Sequence, residues 1–308
     1  MAKIMYYKKQ FEKYKSDMRK TWATINQLIT KKYKKKDFPK HFFSADKIIT
    51  GDKDIADCFN NFFTNIGPDL AKDIPHPPNK AYTDLLKEKI AFSFNFSTVS
   101  TDHLLKIINN LKPKSSFGHD NISTMLLKSI SLEIISVLSL IINQSLSTGI
   151  FPDKLKIAKI TPIYKKDDPH LPDNYRPISL LPAISKVFEK VAFIQIYEYF
   201  TNNELLYESQ YGFRTLHSTE LAALELTDKI YLQLDKKKIP LAIFLDLSKA
   251  FDTIDHAILL DKLRYYGIRG TALMWFTSYL TNRYQYVEFN CESSDLLEIK
   301  TGVPRALF

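Results

Sequence analysis

Cysteine is almost missing from this 308-residue chain, with Cys58 and Cys291 its two representatives. Two thiols so distant in sequence supply neither a disulfide framework nor the clustered ligands of a zinc site, so a reducing compartment fits. The first residues are polar and basic and lack the apolar run of a signal peptide, and no stretch is expected to span a bilayer. The longest apolar stretch, residues 134–146, is broken by Ser136, Ser139, Asn143, Gln144 and Ser145 and reads as a buried core helix. An intracellular location, nuclear or cytoplasmic, with no membrane partner is the expectation.

Core-forming residues are not scarce. Hydrophobic residues make up 45% and aromatics 13%, which excludes a disordered chain and leaves room for one large or two ordinary domains. The net charge of +9 is local: residues 1–40 hold thirteen Lys/Arg against three Asp/Glu, and the remainder is nearly balanced. Tyr7, Phe11, Tyr14, Met18, Trp22, Ile25 and Ile29 recur every three or four positions, which predicts one amphipathic helix with a basic face within residues 1–36. The lysine cluster at 31–36 follows it. Such a segment either tracks a nucleic-acid backbone by counterion release or docks on the core with its lysines in water.

Further along, Ile55, Phe59, Phe62, Phe63 and Ile66 form a packing stripe that Gly67 and Pro68 should interrupt. Residues 75–80, PHPPNK, cannot be helical and mark the best internal boundary. Ser100 or Thr101 can cap a helix ending near Lys112, and Gly149 can end another that begins near Leu132. Residues 156–165 and 175–180 read as two extended arms around a turn-rich loop. A period of two puts Lys159 and Lys165 on one face, so with Arg176 they make either a phosphate clamp or an ordinary exposed hairpin. A helix over 220–234 should turn Leu221, Leu224, Ile230 and Leu234 inward. Leu273, Met274, Trp275, Phe276 and Leu280 give another helix its packing face, and residues 284–300 suggest a hairpin.

The chain is organised around residues 239–246, IPLAIFLD, where seven of the eight positions before Asp246 are apolar. That pattern predicts a short strand buried on both faces and ending in a carboxylate. Asp255 can cap a following helix, with Ile258, Leu259, Leu263 and Tyr266 on one stripe and Gly267 at its end. A carboxylate at a strand mouth suits Mg²⁺, a hard cation that takes oxygen ligands, or is simply a turn residue.

Residues 244–256, FLDLSKAFDTIDH, resemble the first catalytic motif of reverse transcriptases from non-LTR (LINE-type) retrotransposons. PIYKKDDP at 162–169, NYRPISLL at 174–181, SKVFEK at 185–190 and QYGFRTLHST at 210–219 look like further motifs of that family. The resemblance implies an α+β fold, the helix-rich fingers and partial palm of a right-hand polymerase. Residues 1–74 would be a basic helical linker region, 75–95 a connector, and 96–308 the fingers and partial palm. It implies that Asp246 is the catalytic metal ligand and that the Leu247 carbonyl is another ligand. Phe251 would lie under the nucleotide sugar, or pack behind the strand. Lys159, Lys165 and Arg176 would hold the incoming triphosphate or the template. Arg214 and His217 would touch template or pack within their loop. Mg²⁺, an RNA template, a DNA primer and deoxynucleoside triphosphates are the implied cofactor and partners.

The family takes its other two carboxylates from an aromatic-Ala-Asp-Asp hairpin downstream of a Gly-Val-Pro element. Gly302, Val303 and Pro304 are here, but Arg305 and Ala306 stand where the family has Gln-Gly, and no such hairpin follows. One Asp cannot hold a pair of metal ions. The expectation is therefore a truncated fragment with an incomplete palm sheet, inactive alone, with weak or absent Mg²⁺ binding and an exposed edge prone to self-association. The alternative is a non-catalytic, sequence-tolerant RNA- or DNA-binding protein.

Overall fold

The N-terminal periodicity folds as two helices, α1 (Ala2–Lys13) and α2 (Met18–Ile29), where one was expected. The break is chemical. Asp17 accepts the Lys20 main-chain N–H at 3.1 Å as an N-cap does, and the Thr21 hydroxyl donates back to the Tyr14 carbonyl at 2.7 Å. The computed structural model describes residues 2–15, 17–29, 38–44, 47–72, 90–247 and 249–304. The lysine cluster at 31–36 and the boundary at 75–80 lie outside the described residues.

A short antiparallel hairpin, β1 (His41–Ser44) and β2 (Lys47–Thr50), leads into α3 (Asp52–Lys72). Contrary to expectation, α3 runs through Gly67 and Pro68. Pro68 forfeits one intrahelical hydrogen bond, yet Ile55, Phe59 and Phe63 are buried along the same helix and hold it. Gly67 serves a close approach here: a Cβ at that position would collide with the Asp252 carbonyl and the Thr301 hydroxyl.

The two extended arms form β3 (Ala158–Tyr164) and β4 (Tyr175–Leu180), antiparallel with Ile163 opposite Arg176. The segment expected as a hairpin supplies β5 (Arg283–Phe289), β6 (Glu292–Ser293) and β7 (Leu297–Ile299). Strand β5 lies parallel to β3, giving the order β4-β3-β5-β6, and β7 also pairs with β5. Between the first hairpin, α3 and this sheet, Phe42 meets Tyr175 and Phe289 edge to face, and Phe59 meets Tyr175 edge to face and stacks on Phe289. Packing is thus continuous between residues 41–72 and the sheet that follows residue 96.

A second core gathers α4 (Thr101–Asn110), α5 (Thr124–Ser129), α6 (Ser131–Thr148), α7 (Ala183–Asn202) and α10 (Gly270–Leu280), the last preceded by α8 (Thr219–Asp235) and α9 (His256–Tyr265). Ser100 accepts the His103 N–H to open α4, and Gly149, at φ 71°, closes α6. Leu104, Ile108, Leu138, Ile142, Phe188 and Trp275 fill the space between these helices. Asn143 satisfies both its amide groups on the Val99 main chain, at 2.8 and 3.0 Å, which explains a polar residue in this apolar helix. The reading of α6 as a buried helix needs correction. One face is buried, whereas Leu132, Val137, Leu140 and Ile141 are exposed. By length and composition α6 also reaches the minimum for a membrane crossing, which no segment was expected to do.

Two further expectations fail together. No residue of α8 is buried, and Leu221, Leu224 and Leu234 face solvent. Residues 239–247 form no strand. Both were read from apolar patterning, which states what a segment can bury and not what it meets. Among the described residues no strand pairs with 239–247. The mixture of helices and sheet agrees with the α+β class.

Candidate functional site

Asp246 lies on an irregular, exposed run in which Phe244 is 81% and Leu245 91% accessible. The expected strand mouth is therefore absent: an apolar strand needs ladders on its edges and cover on its faces, and this run has neither among the described residues. The Leu247 side chain is exposed as well. A magnesium pair requires several oxygen ligands held together. Among the described residues no group of three or more His, Cys, Asp or Glu side chains is placed to hold a metal ion, so the donor set does not fit one.

What the structure does assemble lies just beyond Asp246. The turn at 249–255 and the segment 301–303, some fifty residues downstream, are stitched together. Val303 N–H donates to the Phe251 carbonyl at 2.9 Å, and Gly302 N–H to the Ile254 carbonyl at 2.8 Å. The Thr301 hydroxyl donates to the Asp252 carbonyl at 3.2 Å, and His256 Nε2 donates to the Gly302 carbonyl at 2.7 Å. Asp255 caps α9 through the Ile258 N–H at 2.9 Å, as read from the sequence. Gly302, at φ 82°, is required: a Cβ would lie 2.8 Å from the Phe251 carbonyl oxygen. Phe251 is 43% exposed and meets the ring of Phe213 edge on at 6.1 Å.

The β3–β4 hairpin does not present its three basic residues alike. Lys159 is buried and paired with Glu288 of β5 at 2.6 Å, with the Phe117 ring beside its ammonium, so it is not part of an open clamp. A period of two puts Lys159 and Lys165 on one face of β3 but carries no sign of β5, which pairs with the Lys159 end of that strand. Lys165 and Arg176 are exposed near the hairpin tip. Lys249, which the sequence reading passed over, pairs with Asp173 of the hairpin loop at 3.0 Å and lies 5.3 Å from the Phe62 ring. It ties the turn after Asp246 to both the hairpin and α3.

Arg214 donates to the carbonyls of Tyr207 and Glu208, and His217 Nδ1 lies 3.0 Å from the Thr215 carbonyl. In this structure both side chains serve their own loop. Within the SKVFEK segment at 185–190 lies a buried polar group to which the sequence analysis gave no role. Glu189 Oε1 accepts from the Tyr279 hydroxyl at 3.0 Å and from Ser185 at 3.3 Å. Burial pushes the Glu189 carboxyl up despite nearby Arg283, and pushes the Tyr279 phenol well up too. In the hairpin, burial raises Tyr175 to about 12.

Residues 163–305 match the family described as Reverse transcriptase (RNA-dependent DNA polymerase). The chain is also similar to a probable RNA-directed DNA polymerase from transposon BS of Drosophila melanogaster, 31% identical over 72% of this chain and 24% of that protein. A probable RNA-directed DNA polymerase from transposon X-element is 32% identical over 64% of this chain and 21% of its own length. The RNA-directed DNA polymerase from mobile element jockey is 27% identical over 72% and 24%; both come from the same organism. The chain spans about a quarter of the length of these curated relatives.

Proposed function

Residues 163–305 belong to the reverse transcriptase family, in the lineage of non-LTR retrotransposons, and on that premise we propose that the chain forms the fingers and first palm elements of a right-hand RNA-directed DNA polymerase. Residues 96–308 would be that unit, preceded by a basic linker region over 1–74. The observation that supports the reading is the stitched turn: residues 249–256 and 301–303 carry two motif segments and meet through four hydrogen bonds beside the β3–β4 hairpin. In this role Lys165 and Arg176 contact the phosphates of an RNA template, a DNA primer or a deoxynucleoside triphosphate. Phe251 bounds the space where the sugar of an incoming nucleotide would sit. Such copying would take place inside the cell, in nucleus or cytoplasm.

Mg²⁺ is the cofactor expected of such a polymerase. Asp246 and the Leu247 carbonyl would be this chain's ligands for it, and they are too few to assemble a catalytic pair. The chain by itself therefore acts as a sequence-tolerant nucleic-acid grip. Two measurements test this. Binding of a primer–template should weaken steeply with salt and survive Asp246→Ala, while primer extension with Mg²⁺ or Mn²⁺ should stay at background. Template-dependent synthesis that Asp246→Ala abolishes would overturn the inactive reading, and absence of any nucleic-acid binding would overturn the grip.

A further inference from the structure

Helices α1 and α2 stand outside the packing that holds the rest of the chain. Among the described residues no apolar core draws a side chain from either helix, and α1 lies against α2. Their large apolar side chains are accordingly in water. Ile4, Met5 and Tyr6 are exposed within the first five residues of α1. Met18 and Trp22 are exposed on α2, and a spacing of four puts them on one face of it. Met5 is 70% and Trp22 56% accessible. The charge around these groups is almost all positive. Lys8, Lys9, Lys13, Lys15 and Lys20 are exposed, and Glu12 and Asp17 are the acids of the same stretch. Asp17 pairs with Lys20 at 2.9 Å and leaves the other four lysines in excess.

Two classes of partner attract such charge. A nucleic acid would neutralise the lysines and could stack a base on Tyr6 or Trp22, but it offers nothing to Ile4, Met5 and Met18, which have no π face. The surface of an anionic bilayer satisfies both sets. Aliphatic side chains enter the acyl boundary, an indole sits at the headgroup level, and lysines reach the lipid phosphates from long flexible stems. The expectation of no membrane partner rests on the lack of a spanning segment. A helix lying on a surface needs no such length.

We infer that α1 and α2 form a peripheral anchor for anionic phospholipid surfaces, with Ile4, Met5, Tyr6, Met18 and Trp22 entering the interface and Lys8, Lys9, Lys13 and Lys15 drawn to the headgroups. The inference stands independently of the polymerase reading, since neither helix contributes to the stitched turn or to the β3–β4 hairpin.

Tryptophan emission of the 308-residue chain tests it, because the chain's two tryptophans are Trp22 and Trp275, and Trp275 is 1% exposed. Vesicles of phosphatidylcholine with phosphatidylserine should shift the emission to the blue. Partitioning should be at least about tenfold tighter than onto phosphatidylcholine alone. Trp22→Phe should remove the shift while co-sedimentation with the vesicles persists. Met5→Ser combined with Met18→Ser should weaken partitioning at least about tenfold and leave the melting temperature unchanged, since both side chains are already in water. No binding to the anionic vesicles, equal binding to both vesicle types, or partitioning indifferent to the double substitution would overturn the inference. So would a Trp22 shift produced by single-stranded RNA and not by vesicles, which would assign the two helices to nucleic acid.

Discussion

His256 Nε2 donates a 2.7 Å hydrogen bond to the main-chain carbonyl of Gly302, joining the first turn of α9 to a segment forty-six positions away. The bond fixes the tautomer of the imidazole, since a carbonyl can only accept. His256→Ala should remove about 1 kcal/mol and lower the melting temperature by roughly 2–4 °C. Hydrogen exchange at the Val303 amide should speed up more than at amides of α6. Equal acceleration everywhere would mean that the bond does not hold this junction locally.

Gly302→Ala should cost more. Its φ of 82° is disfavoured for any residue with a Cβ, by about 1–2 kcal/mol. The added methyl would also press on the Phe251 carbonyl. Chemical denaturation should show a loss of ~2 kcal/mol or more, whereas Gly212→Ala, where a Cβ meets nothing within 4 Å, should be near neutral.

Glu189 gives a pH signature. Its folded-state pKa is raised by burial, so the folded protein holds a proton that the unfolded chain releases first. The stability tied to that proton is present below the ordinary carboxylate pKa and is lost as pH rises through the raised value. Glu189→Gln can still accept from Tyr279 and removes the titration. Its melting temperature relative to wild type should therefore climb as pH rises above the ordinary carboxylate range. A constant difference between the two across that range would contradict the upward shift of the Glu189 carboxyl.

The three basic residues of the hairpin should separate by assay. Lys165→Ala and Arg176→Ala should each reduce the salt dependence of nucleic-acid binding by somewhat less than one unit of slope, because each removes one phosphate contact. Lys159→Ala should leave that slope unchanged and lower stability, because its ammonium is committed to Glu288. Fluorescence anisotropy across a salt series reads the first effect and thermal melts the second.

Much of the fold was legible where the signal is local. Ser100 and Asp255 cap helices, Gly149 ends one, and the alternation around residues 166–173 gives the hairpin. Propensity misled where a tertiary contact outranked it. Pro68 stays inside α3 because the stripe buried ahead of it, Ile55, Phe59 and Phe63, holds the helix against the core. The parallel pairing of β3 with β5 joins segments more than a hundred residues apart, and no pattern within either segment encodes its partner. The same reason hid the fate of residues 239–247. Their apolarity was plain, but a strand exists only with a neighbour. Of the candidate site, the motif positions were readable, while the contacts of Lys249 with Asp173, His256 with Gly302 and Thr301 with Asp252 became visible only once the chain had folded back on itself.

That fold-back turns residues 251–303 into a closed ring, knotted at the turn after Asp246 and at the residues preceding Pro304. Closing a ring of this length costs entropy that grows only with the logarithm of its size, so the length of the ring itself adds little cost while the knot holds. A protease that nicks the ring should leave both pieces attached under native conditions, because each retains its half of the knot. Cutting the chain once within the ring is mechanically a lesser injury than loosening its clasp.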